Sequence, residues 1–257
     1  MIDTNAYLGH FAFRQLRYNT ASGMLRLMDR AHIQQAVVSS AASITYRNVH
    51  AGNEEVAAEV KGHADRLITF GVLNPAYAGW QHDLRQCHEE FGMKGLRLYP
   101  HWHNYKLTDA ACLELVHAAT ERHMTISIPF RVEDRRQQSW LVDIPDVTMQ
   151  EAEALVRAAP KASFIFGNGS GFTGSALGKK NSGLPANYAI EISLLTALVA
   201  NEIGGLIDAI GDDRILLGSG MPFHYPDAAL LKVDVLDASA ATKAKIREGN
   251  ARRLLRL

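Results

Sequence analysis

Two histidines two residues apart, His101 and His103, lie in Tyr99-Pro100-His101-Trp102-His103-Asn104-Tyr105, and a third, His224, stands in Met221-Pro222-Phe223-His224-Tyr225-Pro226. Imidazole titrates nearest to neutrality of the common side chains and is also a frequent metal ligand. In an extended segment residues i and i+2 point to one side, so this spacing predicts both imidazoles of the pair facing one site, as an acid–base pair or as metal ligands. No carboxylate adjoins them, and we therefore expect acid–base or substrate-contact roles for His101, His103 and His224. The competing reading is ordinary packing or surface histidine.

Cations cluster in the same kind of place. Arg14 and Arg17 lie in a polar segment over 9–20, Arg131, Arg135 and Arg136 in one over 131–147, and Lys179 and Lys180 in one over 169–186. Guanidinium binds carboxylate in a two-pronged fashion, so a carboxylated small molecule would suit a mouth formed by these segments, with Arg131 the first candidate contact. Glu133 and Asp134 neutralise part of the second group, and a solvated or subunit-facing charge cluster is the alternative. Alternation puts Asp3, Asn5 and Tyr7 on one face of a strand, and Gly95, Arg97 and Tyr99 on one face of another. If those faces line an interior, Arg97 is buried and needs a partner; Asp3 is the expected one, as an ion pair.

The elements that must position these residues are short apolar runs alternating with helical patterns. Strands are expected over Met1–Leu8, Gln35–Ser40, Leu67–Leu73, Gly95–Tyr99, Thr125–Phe130, Ser163–Gly167, Tyr188–Leu194 and Arg214–Ser219. Between them, Met24, Leu25, Leu27, Met28 and Ala31, or Leu113, Leu115, Val116 and Ala119, recur at helical spacing. Thr108-Asp109 and Thr148 stand where helix N-caps belong, and Gly92 follows a helical pattern. Eight β-α units in 257 residues predict an α/β fold, a (β/α)8 TIM barrel filling one domain over 1–257. The three long polar connections then all fall on the C-terminal face, where such barrels build their sites. The glycine-rich stretch over 169–183 reads as a mobile lid; it lacks the spacing of a P-loop, so nucleotide binding is not expected.

Composition narrows the partners. Lys plus Arg and Asp plus Glu each number 27, for a formal net charge of zero, which gives no electrostatic footing for nucleic acid or an anionic membrane. Cys87 and Cys112 have no metal-type spacing and read as reduced thiols. No stretch approaches the length of a membrane span, and the start is not basic. We expect a cytoplasmic protein with a small, anionic substrate, no nucleic acid, no membrane, and an open question over homo-oligomers.

Five motifs resemble the amidohydrolase-related family in order along nearly the whole chain. Asp3-Thr4-Asn5-Ala6-Tyr7-Leu8-Gly9 is similar to its first strand, Asp-x-His-x-His-x-Gly. Gly95-Leu96-Arg97-Leu98-Tyr99-Pro100 resembles the fourth, and Phe164-Ile165-Phe166-Gly167-Asn168-Gly169 the sixth, which commonly ends in His. Leu216-Leu217-Gly218-Ser219-Gly220-Met221-Pro222 resembles the eighth, apolar-apolar-Gly-Ser-Asp-x-Pro, and Asn250-Ala251 the terminal helix. The resemblance implies a barrel whose metal would be held by two first-strand His, often a His or Lys from the middle strands, and the eighth-strand Asp. Asn5, Tyr7, Asn168 and Gly220 occupy the corresponding places, and Ile126–Arg131 lacks the His often found in strand five. Amides, a phenol and a glycine do not replace imidazoles and a carboxylate.

We therefore expect no metal and no cofactor. The resemblance implies a small-molecule hydrolase, or a decarboxylase- or lactonase-type lyase, acting on a carboxylated substrate without the family's usual metal. The expected catalytic residues are His101, His103, His224, Asn5 and Asn168, with Tyr7, Arg97, Tyr99 and Arg131 binding substrate. The alternative is a non-catalytic barrel kept as a ligand- or partner-binding subunit.

Overall fold

A computed structural model describes residues 1–257. Eight strands run β1 Ile2–Leu8, β2 Gln35–Ser40, β3 Leu67–Val72, β4 Gly95–Arg97, β5 Thr125–Pro129, β6 Phe164–Gly167, β7 Tyr188–Glu191 and β8 Ile215–Leu216. The helices are α1 Ala21–Arg30, α2 Val49–Glu59, α3 Trp80–Arg85, α4 Ala110–Glu121, α5 Met149–Ala158, α6 Glu202–Ile210, α7 Asp227–Val235, α8 Ala240–Ala244 and α9 Asn250–Leu255. The strands pair in sequence order, and every pairing is parallel. At the seam between β8 and β1, Thr4 N–H donates to Leu217 O at 2.9 Å, Tyr7 N–H to Met221 O at 2.8 Å, and Gly220 N–H to Asn5 O at 2.8 Å. The fold is the (β/α)8 barrel, with one departure. β6 is followed by two 3-10 turns, Phe172–Gly174 and Ala176–Gly178, in place of a full helix.

The helices form where apolar spacing and caps agree. In α1 the buried face is Met24, Leu27 and Met28, and Thr20 caps its N-terminus through Gly23 N–H. Thr148 and Glu151 make a reciprocal capping box on α5. Asp109 occupies the N-cap position of α4 without a side-chain cap bond; its carboxylate takes Lys106 N–H instead. Cys87 and Cys112 are free and buried. No helix is long and apolar enough to cross a membrane.

Three layers fill the barrel. At the bottom, Ala251 and Leu255 of α9 pack on strand beginnings: Ala251 with Ile2, Ile165 and Leu216, and Leu255 with Val37, Ile68 and Phe70. At the top an aromatic cap joins Tyr7, Phe11, Tyr99 and Phe223, with Phe223 edge-on to both Tyr7 and Phe11 at 5.0 Å. Between them lies a polar layer that carries the candidate site. The glycine-rich segment is not a loose lid. Phe172 is buried 5.1 Å from Phe130, Tyr188 donates its hydroxyl to Leu177 O at 2.6 Å, and Glu202 and Glu153 accept from Gly171 and Ala176 N–H. Apolar anchors inside the segment outweigh its glycine content.

Candidate active site

The polar layer is organised by Glu191, at the C-terminal end of β7 and wholly buried. Its Oε2 accepts from Asn5 Nδ2 at 2.9 Å, Asn168 N–H at 3.2 Å and Ser193 Oγ at 2.9 Å, and its Oε1 accepts from Ser193 N–H. The neighbouring strands make room: a Cβ on Gly218 would lie 2.2 Å from Glu191 Cγ, and one on Gly167 would lie 2.9 Å from Oε2. Burial pushes the Glu191 carboxyl above its ordinary range, while those donors pull it back. Asn168 turns into the layer from a left-handed backbone conformation, φ 49°, which Asn tolerates better than most residues. Its Oδ1 accepts from Asn5 and Ser193, and its Nδ2 donates to Tyr7 Oη at 3.2 Å and Arg131 O at 3.0 Å.

Asp3 is the second buried carboxylate. Its Oδ1 accepts Asn5 N–H at 2.9 Å and Ser219 N–H at 3.1 Å, and its Oδ2 accepts Ser219 Oγ at 2.5 Å. Burial raises this carboxyl to about 7 even against those donors, so near neutral pH it holds a proton part of the time. The expected Asp3–Arg97 ion pair does not form. Arg97 is buried as anticipated, but its Nη1 donates to Ala6 O at 2.9 Å and its guanidinium lies 4.6 Å over the Tyr7 ring. Backbone carbonyls and an aromatic face hold the cation, its Nε alone lacking a partner, and Ser219 holds the anion. Tyr99, also buried, packs edge-on to His103.

The two serines connect this layer to solvent. Ser193 and Ser219 line a groove of about 570 Å³ above β7 and β8, with His224, Lys232, Asp134 and Arg136 on its walls. That volume suits a small organic molecule. His224 sits against Gly220, where a Cβ would lie 2.9 Å from its Cδ2. Burial, and then the charge of Arg14, depress its pKa, leaving a neutral imidazole whose Nε2 is buried without a partner.

The histidine pair is split. The chain turns after Tyr99, with His103 N–H donating to Tyr99 O and Tyr105 N–H to Pro100 O, both at 3.0 Å, so the i, i+2 rule for extended chain does not apply. His101 faces Pro145 O at 3.0 Å and Glu151 Oε1 at 2.9 Å. His103 faces Ser43 O at 3.0 Å. Arg131 pairs with Asp146 at 3.0 Å, and Arg135 joins the same carboxylate at 3.1 Å. Of the candidate residues, the structure brings Asn5, Tyr7 and Asn168 into one network and sets His224 on the groove over it. Glu191, Ser193, Ser219 and Lys232 escaped the sequence reading. The one signal for Glu191 was a lone charge inside the apolar run Tyr188-Ala189-Ile190-Glu191-Ile192, facing glycines on both sides.

This architecture has relatives. An amidohydrolase family model matches residues 12–257, and the chain belongs to that family. Among solved structures it is similar to 2,6-dihydroxybenzoate decarboxylase from Rhizobium, at 19% identity and a TM-score of 0.73, over 100% of this chain and 99% of that one. It is also similar to 5-carboxyvanillate decarboxylase from Novosphingobium aromaticivorans complexed with manganese and a nitrobenzoic acid, at 16% identity and 0.70, over 91% and 79%. A third is 4-oxalomesaconate hydratase from Rhodopseudomonas palustris, at 16% and 0.71, over 100% and 95%.

A divalent cation of the kind the family implies does not fit the residues here. Asn5 presents its NH2 to the layer, as a donor to Asn168 and Glu191. Both Glu191 oxygens are engaged, Gly220 has no side chain, and nowhere do three His, Cys, Asp or Glu side chains converge as a ligand set.

Proposed function

We propose that this protein is an enzyme that cleaves a small carboxylated molecule by acid–base chemistry, as a decarboxylase-type lyase or a hydrolase, without the family's usual metal. The observation that carries this reading is that Ser219 lines the groove while its Oγ is hydrogen-bonded to buried Asp3. When Asp3 is protonated it donates to Ser219 Oγ, whose own proton is then free to turn toward the groove. The small-molecule acids and the hydratase substrate named for the related structures support a carboxylated compound.

In decarboxylation, the bond to the carboxylate carbon breaks, carbon dioxide leaves, and the carbon that keeps the electron pair takes a proton from Ser219, replaced from Asp3. In ester or lactone hydrolysis, neutral His224 takes a proton from the attacking water and the Ser219–Asp3 pair supplies one to the leaving oxygen. Asn5, Asn168, Tyr7 and Glu191 hold the layer in register, and His101, His103 and Arg131 shape the loops above it. Two free cysteines and no disulfide support a cytoplasmic setting.

The test is turnover of a panel of aryl carboxylates, lactones and esters by protein whose metal content has been measured. Asp3→Asn and Ser219→Ala should each lower kcat by about 10²–10⁴-fold, the usual worth of a positioned acid or base. Stoichiometric zinc or manganese required for turnover would overturn the metal-free reading. A binding barrel without catalysis is the second reading, favoured by the aromatic cap of Tyr7, Phe11 and Phe223 over the barrel axis. Ligand binding with no turnover across the panel would select it.

A further inference from the structure

Of the loop arginines that sequence alone offers as anion binders, Arg17 is exposed and lies outside the groove, and the other four are already engaged. Arg14 contacts Phe223 O at 2.8 Å and Glu133 at 3.4 Å; Arg131 and Arg135 share Asp146; Arg136 is bidentate on Asp134. Lys232 differs. It reaches from α7 to the end of β7, where its Nζ donates to Ser193 O at 2.5 Å and Ile192 O at 3.3 Å, and no carboxylate lies within 4.0 Å of it. An ammonium has three donors. Two are spent on carbonyls, and one remains.

Among the groove's other charged residues Asp134 and Arg136 pair with each other, and the acids that act on Lys232, Glu191 and Glu202, stay outside ion-pair distance, so Lys232 keeps a donor free for an anion. Most of the remaining wall is apolar, and much of it is open. Leu198 is 69% exposed, Leu231 60% and Val235 41%, beside the half-buried Leu194. A cation at the inner end of an apolar channel selects a ligand with one anionic head and a hydrocarbon body.

We infer that this groove binds an amphipathic monocarboxylate, with its carboxylate on Lys232 beside Ser193 and its apolar part along Leu194, Leu198, Leu231 and Val235. This names the substrate class of the acid–base reading and rests on that reading for its catalytic meaning, but not for binding. Octanoate, octanamide and acetate are the probes, titrated calorimetrically into the intact protein. Octanoate should bind, and octanamide and acetate should each bind about tenfold more weakly or worse, because one lacks the charge and the other the tail.

Lys232→Met should cost octanoate about tenfold or more while Lys232→Arg keeps most of its affinity. Leu231→Ser should weaken octanoate and leave acetate unchanged. Equal binding of octanoate and octanamide, an unaffected Lys232→Met variant of unchanged Tm, or no octanoate binding at all would each overturn the inference. Absence of octanoate binding with concentration-dependent self-association would assign the apolar wall to contact between copies instead. Turnover separates the two readings: octanoate binding through Lys232, with no turnover by the unmodified protein on any compound, sinks the catalytic reading and leaves this one standing.

Discussion

Asn5 Nδ2 reaches from β1 to Glu191 Oε2 on β7, 2.9 Å away and 186 residues later in the chain. The contact ties the first strand to the seventh through the barrel interior, where water cannot replace a lost partner. Asn5→Ala should therefore lower stability by about 1–3 kcal/mol, the cost of leaving a buried acceptor short of a donor. Glu191→Gln should cost about as much or more, because its NH2 must face one of the donors that both carboxylate oxygens now accept. The double variant should lose less than the sum. Urea unfolding of the four proteins measures that coupling; strict additivity would mean that the two side chains do not interact.

Asp3 gives the pH dependence its sign. Its folded-state pKa of about 7 lies above the ordinary value of 3.8, so the native state holds this proton more tightly than the unfolded chain does. The resulting stability is fully present below about pH 4 and is lost as pH rises through 7. Glu191, raised by burial as well, adds to the same trend. His103 and His224, depressed by burial, act oppositely around pH 6.5, since the unfolded chain takes up their protons first. The difference between the wild type and Asp3→Asn isolates the first term, because an amide mimics the protonated acid. Asp3→Asn should gain stability relative to wild type from pH 4 to 8; parallel curves across that range would rule out the raised carboxyl.

How far the sequence reached follows from the same residues. Strand and helix alternation is a local property, so the barrel and its order of elements were legible, as was the burial of Arg97 from a period of two. Partners were not. Alternation assigns a face but not what lies across it, and Arg97 found carbonyls of β1, across the barrel, and the Tyr7 ring where Asp3 was expected. Lys232 meets Ser193 through a helix packed 39 residues later in the chain, which no spacing rule anticipates. The resemblance to the family located Asn5, Asn168 and Gly220, while Glu191, having no counterpart in the motifs compared, stayed hidden in an apolar run.

Gly220 tests whether the carboxylate that the strand-eight resemblance leads one to expect at this position can simply be introduced. Its φ of 76° is left-handed, and a Cβ there would approach His224 Cδ2 to 2.9 Å. Gly220→Asp should therefore destabilise by about 1–3 kcal/mol from backbone strain alone and displace His224 from the groove. It should not acquire stoichiometric zinc, because Asn5 and Tyr7 remain in place of the first-strand histidines. Tight zinc binding by this single variant, measured on dialysed protein by atomic absorption, would show that the other ligands are already present.

The separation of His101 from His103 makes their variants diverge. His103 is buried, its Nε2 bonded to Ser43 O and its ring packed against Tyr99 and Tyr105. Replacing it by Ala removes a packed ring and strands a carbonyl, so His103→Ala should lose about 2–4 kcal/mol, in the range of large-to-small core changes. His101 is partly exposed and joins Glu151, which already caps α5 through Thr148. Burial works against its charged form, but its bonds to Pro145 O and Glu151 prevail and raise its pKa. His101→Ala should cost less than about 1 kcal/mol, as expected for a partly solvated pair, and this small loss should shrink as pH rises and the wild-type imidazole loses its charge. Octanoate affinity should be the same in His101→Ala as in the wild type, since the ring faces Pro145 and Glu151 and is not among the residues lining the groove. A large loss of octanoate affinity in His101→Ala with unchanged Tm would return that histidine to the binding site.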